Sequence, residues 1–143
     1  MIDITDKKTI IRTAKASGKI ILKEETIQRI KNNQVQKGDV FTIAKIAAIN
    51  GVKKVSDLIP LCHPIPINHI SIEYKIEDNK SISVCCIVKS FAKTGVEMEA
   101  LTGVSIALLN IWDVVKMYEK DEQGQYPDTY ITEIKVNEKI KEG

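Results

Sequence analysis

From Ile70 to Val88 apolar and polar residues alternate with a period of two, and no other feature constrains the fold as strongly. Ile70, Ile72, Tyr74 and Ile76 alternate with His69, Ser71, Glu73 and Lys75. After the turn residues "EDNK", Ile82, Val84, Cys86 and Val88 alternate in the same way. Successive strand residues point to opposite faces, so this segment is a hairpin with one apolar face that needs a cover. The period then becomes helical, from Thr94 to about Lys120. Leu101, Val104, Leu108, Ile111 and Val115 form one stripe, and Val96, Ala100, Gly103, Ala107 and Val114 form another. A helix apolar nearly all round is buried on most sides. The sheet covers one side, and another subunit is a candidate for the rest.

The upstream segments complete the pattern. "TIIRTAKASGKIIL" is β-branched and extended in character, a strand or a pair of short strands broken at Gly18. "KEETIQRIKN" reads as a short helix. "KGDVFTIAKIAAING" reads as a second, capped by Asp39, striped by Val40, Ile43, Ala44 and Ala47, and stopped at Gly51. Thr94 and Glu97 have the spacing of a capping box for the long helix. "YITEIKV" is a last strand, which leaves 136–143 as a lysine-rich tail that need not be ordered. The order matches the split β-α-β-β-α-β arrangement of ferredoxin-like α+β folds, with helices on one face of an antiparallel sheet. At 143 residues this is a single domain, 1–143.

Composition narrows the function classes. Apolar residues make up 43% and charged residues 28%, as in a globular chain. Twenty-one basic against nineteen acidic side chains leave +2, which gives no nucleic-acid surface. No apolar run approaches the roughly 18 residues of a membrane span, and "MIDITDKKTI" has no apolar signal core. The expected location is the cytoplasm. Three cysteines, an odd number, fit a reducing compartment. Cys85 and Cys86 are neighbours on a strand and face opposite ways, so they read as small core or interface fillers.

Three constellations carry chemistry. "LIPLCHPIPINH", Leu58 to His69, holds both histidines, Cys62 and three prolines. Pro64 holds His63 in an extended conformation. His63 is open to three readings: a packed residue, a metal ligand, or a group presented to a substrate. "CH" alone falls far short of a zinc signature. On the long helix, Asp113 and Lys116 are three residues apart and share a face, as an ion pair, a wet cleft, or both. Glu97 and Glu99 flank Met98 at the start of that helix. Glu99 and Asp113 face nearly the same way but lie about 21 Å apart, so one small substrate touches both only across a subunit boundary. In "QKGDVF", Lys37 precedes a glycine at a helix start, a setting that suits an anion.

The blocks "KGDVF", "DLIPLCHPIP", "KTGVEMEALTGVS" and "IWDVVK" closely resemble the signatures of the molybdenum-cofactor biosynthesis protein C family, the cyclic pyranopterin monophosphate synthases. The resemblance runs from "IDITDK" to the last strand. It implies a lyase that converts 3′,8-cyclised dihydro-GTP to cyclic pyranopterin monophosphate and pyrophosphate, within a homohexamer built as a trimer of dimers with sites at subunit interfaces. It assigns Asp113, Lys116 and Lys37 to catalysis. It assigns Leu61, Cys62, His63, Met98 and Glu99 to substrate binding, with Glu97, Lys135 and Lys139 as further contacts. No cofactor or protein-bound metal is implied, although a triphosphate can bring Mg²⁺ with it. One block departs: members usually end in a glycine-rich "K-S-G-G-K-S-G"-like loop, where this chain reads "KVNEKIKEG". A glutamate there, Glu138, would oppose a triphosphate unless it pointed away. Catalysis by Lys116 or Lys37 as acid or base would be helped by a cleft that lowers their pKa. Two other classes of function remain. One is a small metal-binding module using Cys62, His63 and His69; the other is a nucleotide-binding oligomer without turnover.

Overall fold

The computed structural model describes residues 1–143. Its elements are β1 (Ile10–Ile21), α1 (Glu24–Lys31), α2 (Val40–Val52), α3 (Val55–Leu58), β2 (His69–Ile76), β3 (Ser81–Ala92), α4 (Glu97–Glu119) and β4 (Tyr130–Glu142). The four strands form one antiparallel sheet in the order β2-β3-β1-β4. That is the expected ferredoxin-like α+β arrangement.

The alternation in β2 and β3 does what a period of two requires. Ile72, Ile82, Val84, Cys86 and Val88 are buried with Ala14, Ala16 and Ile20 of β1 under the helices. α4 covers this face through Val104, Ala107, Leu108 and Ile111, each fully buried. α2 lies beside α4 and reaches β2, where Phe41 stacks on Tyr74 with ring centroids 4.9 Å apart. α4 has the length and apolar content of a membrane span, but half of that apolar window is buried inside the protein as the core helix of the sheet.

Several local expectations are revised. β1 is one continuous strand through Gly18, because Gly18 pairs with Val84 and is needed there for closeness. A Cβ on it would lie 2.9 Å from both Leu108 Cδ1 and Val104 Cγ1. The irregularity appears only on the β4 side, where the register shifts between Ser17 and Lys19. Asp39 caps α2 as expected, accepting from Thr42 N at 2.9 Å. Gly51, however, does not stop α2, which runs to Val52. Gly51 instead lets α2 approach α4, since a Cβ there would be 2.9 Å from Ile106 Cγ1. In the α2 stripe, Ala48 is fully buried while Ile43 and Ala47 are only half-buried. The short turn of α3 was not anticipated. The capping box at Thr94 does not form, because α4 begins at Glu97 and has no side-chain cap. The tail is ordered too: β4 continues to Glu142 and pairs with β1 as far as Ile11.

Candidate active site

α4 carries charged groups at both ends, and the elements packed beside it bring partners to each. At the C-terminal end, Lys116 Nζ lies 3.0 Å from Asp113 Oδ1, and Lys37 Nζ lies 3.4 Å from Asp113 Oδ2. Lys37 also donates to the main-chain oxygen of Asp113 at 3.0 Å. Each carboxylate oxygen therefore faces one ammonium group. Lys37 reaches this position because its short loop is held on both sides. The Gln36 amide donates to Tyr118 Oη at 2.9 Å, and Gly38 turns the chain with a φ of 125° before the Asp39 cap.

The cluster is open to water, since 57% of the Asp113 side chain is exposed. Both the ion pair and the wet setting offered by the sequence are present, because the apolar stripes lie on the other sides of α4. The hydrogen bond from Lys116, with the charges of both lysines, holds the Asp113 carboxyl below the usual carboxylate range. The same hydrogen bond and charge raise the Lys116 ammonium above its ordinary value. The expected lowering of the lysine pKa does not occur at Lys116, because the carboxylate 3.0 Å away outweighs the slight burial.

At the N-terminal end, Leu61, Cys62, His63, Glu97, Met98 and Glu99 line one cleft of about 390 Å³. Leu61 and Met98 present apolar surface at its rim, whereas Glu99 is only 4% exposed. Burial raises the Glu99 pKa, and the charge of Glu97 adds to the effect. Burial followed by the charge of Glu99 pushes the Cys62 thiol up, so it stays protonated at neutral pH. His63 Nε2 donates to the main-chain oxygen of Ile2 at 2.6 Å, which draws the first residues of the chain over the cleft. Lys93 Nζ holds the same segment through Thr5 O at 2.8 Å. In the sequence this segment appears only as the opening "IDITDK" of the resemblance, because the contacts to His63 and Lys93 run through the main-chain oxygens of Ile2 and Thr5.

Of the tail residues, Lys139 reaches this end of α4, with Nζ 3.3 Å from Glu97 Oε1. Lys135 does not. It pairs with Ser17 and lines a separate hollow with Lys19 and Glu133. Glu138 is paired with Lys15 at 3.1 Å, so its charge is taken up on the sheet. Cys62, His63 and His69, the ligands of a metal module, do not converge; no three His, Cys, Asp or Glu side chains gather in a metal-binding group. Cys86 is fully buried with its thiol pushed up to about 12 by burial, as a core filler should be. The largest hollow, about 870 Å³, lies beside α1 and holds none of the residues singled out from the sequence. Its Lys23, Arg29 and Lys80 are balanced by Glu24, Glu25 and Asp128, so it offers a polyanion no net attraction.

Within the chain the residues thus form two groups at opposite ends of a 23-residue helix. The MoaC family model matches residues 1–142. The chain belongs to the MoaC family. A relative in Saccharolobus solfataricus is 56% identical over 142 residues, covering 99% of this chain and 95% of the relative. A Pyrococcus furiosus relative is 54% identical, with 99% and 90% covered. One in Archaeoglobus fulgidus is 53% identical, with 100% and 91% covered. All three are named probable cyclic pyranopterin monophosphate synthases. The MoaC-family blocks coincide with the two groups: "KGDVF" and "IWDVVK" build one, and "LCHP" and "VEMEA" build the other.

Proposed function

We propose that this MoaC-family chain is a cyclic pyranopterin monophosphate synthase. It would be a lyase of molybdenum cofactor biosynthesis, acting on 3′,8-cyclised dihydro-GTP and releasing pyrophosphate. The observation that carries the mechanism is the Asp113 carboxylate held between two ammonium groups, Lys116 at 3.0 Å and Lys37 at 3.4 Å. A triphosphate entering this cluster competes with Asp113 for both lysines. Binding therefore releases the carboxylate as a proton acceptor at the moment the substrate arrives.

The reaction needs several proton transfers. Water opens the imidazole ring of the purine, the pterin ring closes, and a ribose-derived oxygen attacks the innermost phosphate to expel pyrophosphate. Lys116, held charged by Asp113, acts as a proton donor and neutralises phosphate charge. Lys37 shares that role from the α1–α2 loop. Glu99 holds its proton more tightly than an ordinary carboxyl, which suits a group that exchanges protons with a ring nitrogen. Leu61 and Met98 supply apolar walls, and His63 hydrogen-bonds the substrate once it exchanges Ile2 O for it. Lys139, drawn in by Glu97, is the tail lysine closer to this action, with Lys135 the more distant. No resident cofactor is proposed; Mg²⁺ would arrive with the triphosphate.

Because the two groups are about 21 Å apart along α4, the working site joins the Asp113 group of one protomer to the His63–Glu99 group of another. A homohexamer built as a trimer of dimers is the assembly we infer. Leu58, Leu61 and Leu109, all more than half exposed on one protomer, provide apolar surface for it. Acting on a GTP-derived substrate, the enzyme would work in the cytoplasm. The test is incubation with prepared 3′,8-cyclised dihydro-GTP while pyrophosphate is followed. Release supports the synthase; tight binding without release contradicts it and favours a binding protein.

A further inference from the structure

The last turn of α4 does more than end the helix. Tyr118 stands two residues beyond Lys116, and its hydroxyl accepts from the Gln36 amide at 2.9 Å. The Arg29 guanidinium lies over the Tyr118 ring, 4.4 Å from its centroid, and Arg29 Nη1 donates to Gln34 O at 3.4 Å. Arg29 is on α1, and Gln34 and Gln36 lie in the loop that leads to Lys37. One residue further on, the chain turns at Gly38 and is fixed again by the Asp39 cap. Lys37 and Gly38 are therefore the only two residues between the Gln36 anchor on α4 and the Asp39 cap of α2. From there its ammonium reaches Asp113, five residues before Tyr118 on the same helix.

We infer that Tyr118 and Arg29 are positioning residues that hold the Lys37 loop on α4, so that the Lys37 ammonium stays beside the Asp113 carboxylate. Several features separate this from ordinary packing. The Gln36 amide lies in an exposed loop, so water could satisfy it, and folding does not require the bond. A phenylalanine would keep the ring under Arg29 and lose only the acceptor. What the hydroxyl supplies is a fixed origin for a long, rotatable lysine side chain, whose reach depends on where its Cα is held. The inference rests on the role proposed above for Lys37 in turnover, and its test separates the two.

In the full-length protein, Tyr118→Phe and Arg29→Gln are compared with the native sequence by two readouts. The first is the rate at which a limiting amine-acetylating reagent modifies Lys37, measured by peptide mass spectrometry against Lys45 and Lys53 as internal standards. Removing the anchor is expected to raise Lys37 modification about fivefold in Tyr118→Phe, the scale of one lost hydrogen bond, with a smaller rise in Arg29→Gln. The second is turnover, with kcat expected to fall by a similar factor while KM and the melting temperature stay near native values. Unchanged Lys37 modification overturns the inference whatever turnover does, as does a lowered melting temperature with all three lysines equally more reactive. Faster Lys37 modification with native kcat upholds the anchor and contradicts the part given to Lys37 in the reaction.

Discussion

Lys37 meets Asp113 twice, donating to its main-chain oxygen at 3.0 Å and facing its carboxylate at 3.4 Å. The first contact ties the ammonium to the main chain of α4 and the second neutralises the side chain. With Lys116 on the other oxygen at 3.0 Å, each carboxylate oxygen faces one ammonium group. In the proposed reaction, an arriving anion draws the lysines away and frees this carboxylate to accept a proton.

Asp113→Asn should therefore separate activity from stability. The amide cannot accept a proton at neutral pH, and turnover is expected to fall by about 100-fold or more. Both ion pairs are exposed, so the loss in stability should stay within about 1 kcal/mol. Pyrophosphate release and thermal melting on the same sample check the two halves. A large drop in melting temperature would make Asp113 a structural residue instead.

Glu99 gives a pH dependence with a definite sign. Its burial raises the folded-state pKa above the unfolded value, so the native state binds more protons than the unfolded state. This group's contribution to stability is therefore most favourable in acid and is lost as pH rises from the ordinary carboxylate value through the raised one. Glu99→Gln should melt above the native protein at pH 8 and lose that advantage by pH 4. Melting curves across that range decide it, and an advantage that grows on acidification would contradict it.

Glu119 is a carboxylate used purely for structure. It is fully buried at the end of α4 and accepts from Lys23 N at 3.1 and 3.2 Å and from Thr129 Oγ1 at 2.6 Å; Thr26 Oγ1 donates to it as well. It ties α1 and the entry to β4 to one point. Glu119→Ala strands three buried or part-buried donors and should cost about 2–4 kcal/mol, a fall of roughly 10 °C in melting temperature. Denaturant titration gives the energy directly.

Gly103 sets how closely α4 lies on the sheet. A Cβ there would be 2.6 Å from Cys86 Sγ and 2.9 Å from Val52 Cγ2. Gly103→Ala gains helix propensity but must push α4 off β3 and α2, and a net loss of about 1–3 kcal/mol is expected. A variant as stable as the native chain would show that this contact has slack.

The fold was legible where periodicity was strong. The alternation of β2 and β3 and the double stripe of α4 fix which faces are buried, and those faces in turn fix the layer order. Boundaries set by tertiary contact were not legible. Gly18 and Gly51 look like breaks in a linear reading, yet each is a point where a helix or side chain comes too close for a Cβ. The stretch 136–143 looks like a tail because Glu138 and the lysines lack apolar alternation, and as far as Glu142 it becomes a strand only by pairing with β1. Among site residues, the pairing of Asp113 with Lys116 followed from helical spacing. Lys37 joined them only through the resemblance, because 76 residues separate it from Asp113. Tyr118, Arg29 and the Ile2 carbonyl escaped notice, since a hydroxyl, a ring face and a main-chain oxygen leave no pattern in one sequence.

In the proposed site, one protomer supplies the Asp113 group and another supplies the His63–Glu99 group. The measurement that tests it most directly is pyrophosphate release by mixed oligomers, formed by refolding equal amounts of Asp113→Asn and His63→Ala chains together. Each variant alone should be nearly inactive. A site shared between protomers finds both intact halves in roughly a quarter of random pairings, so the mixture should regain about that fraction of native activity. Mixed oligomers that assemble but stay as inactive as either parent would contradict the shared site.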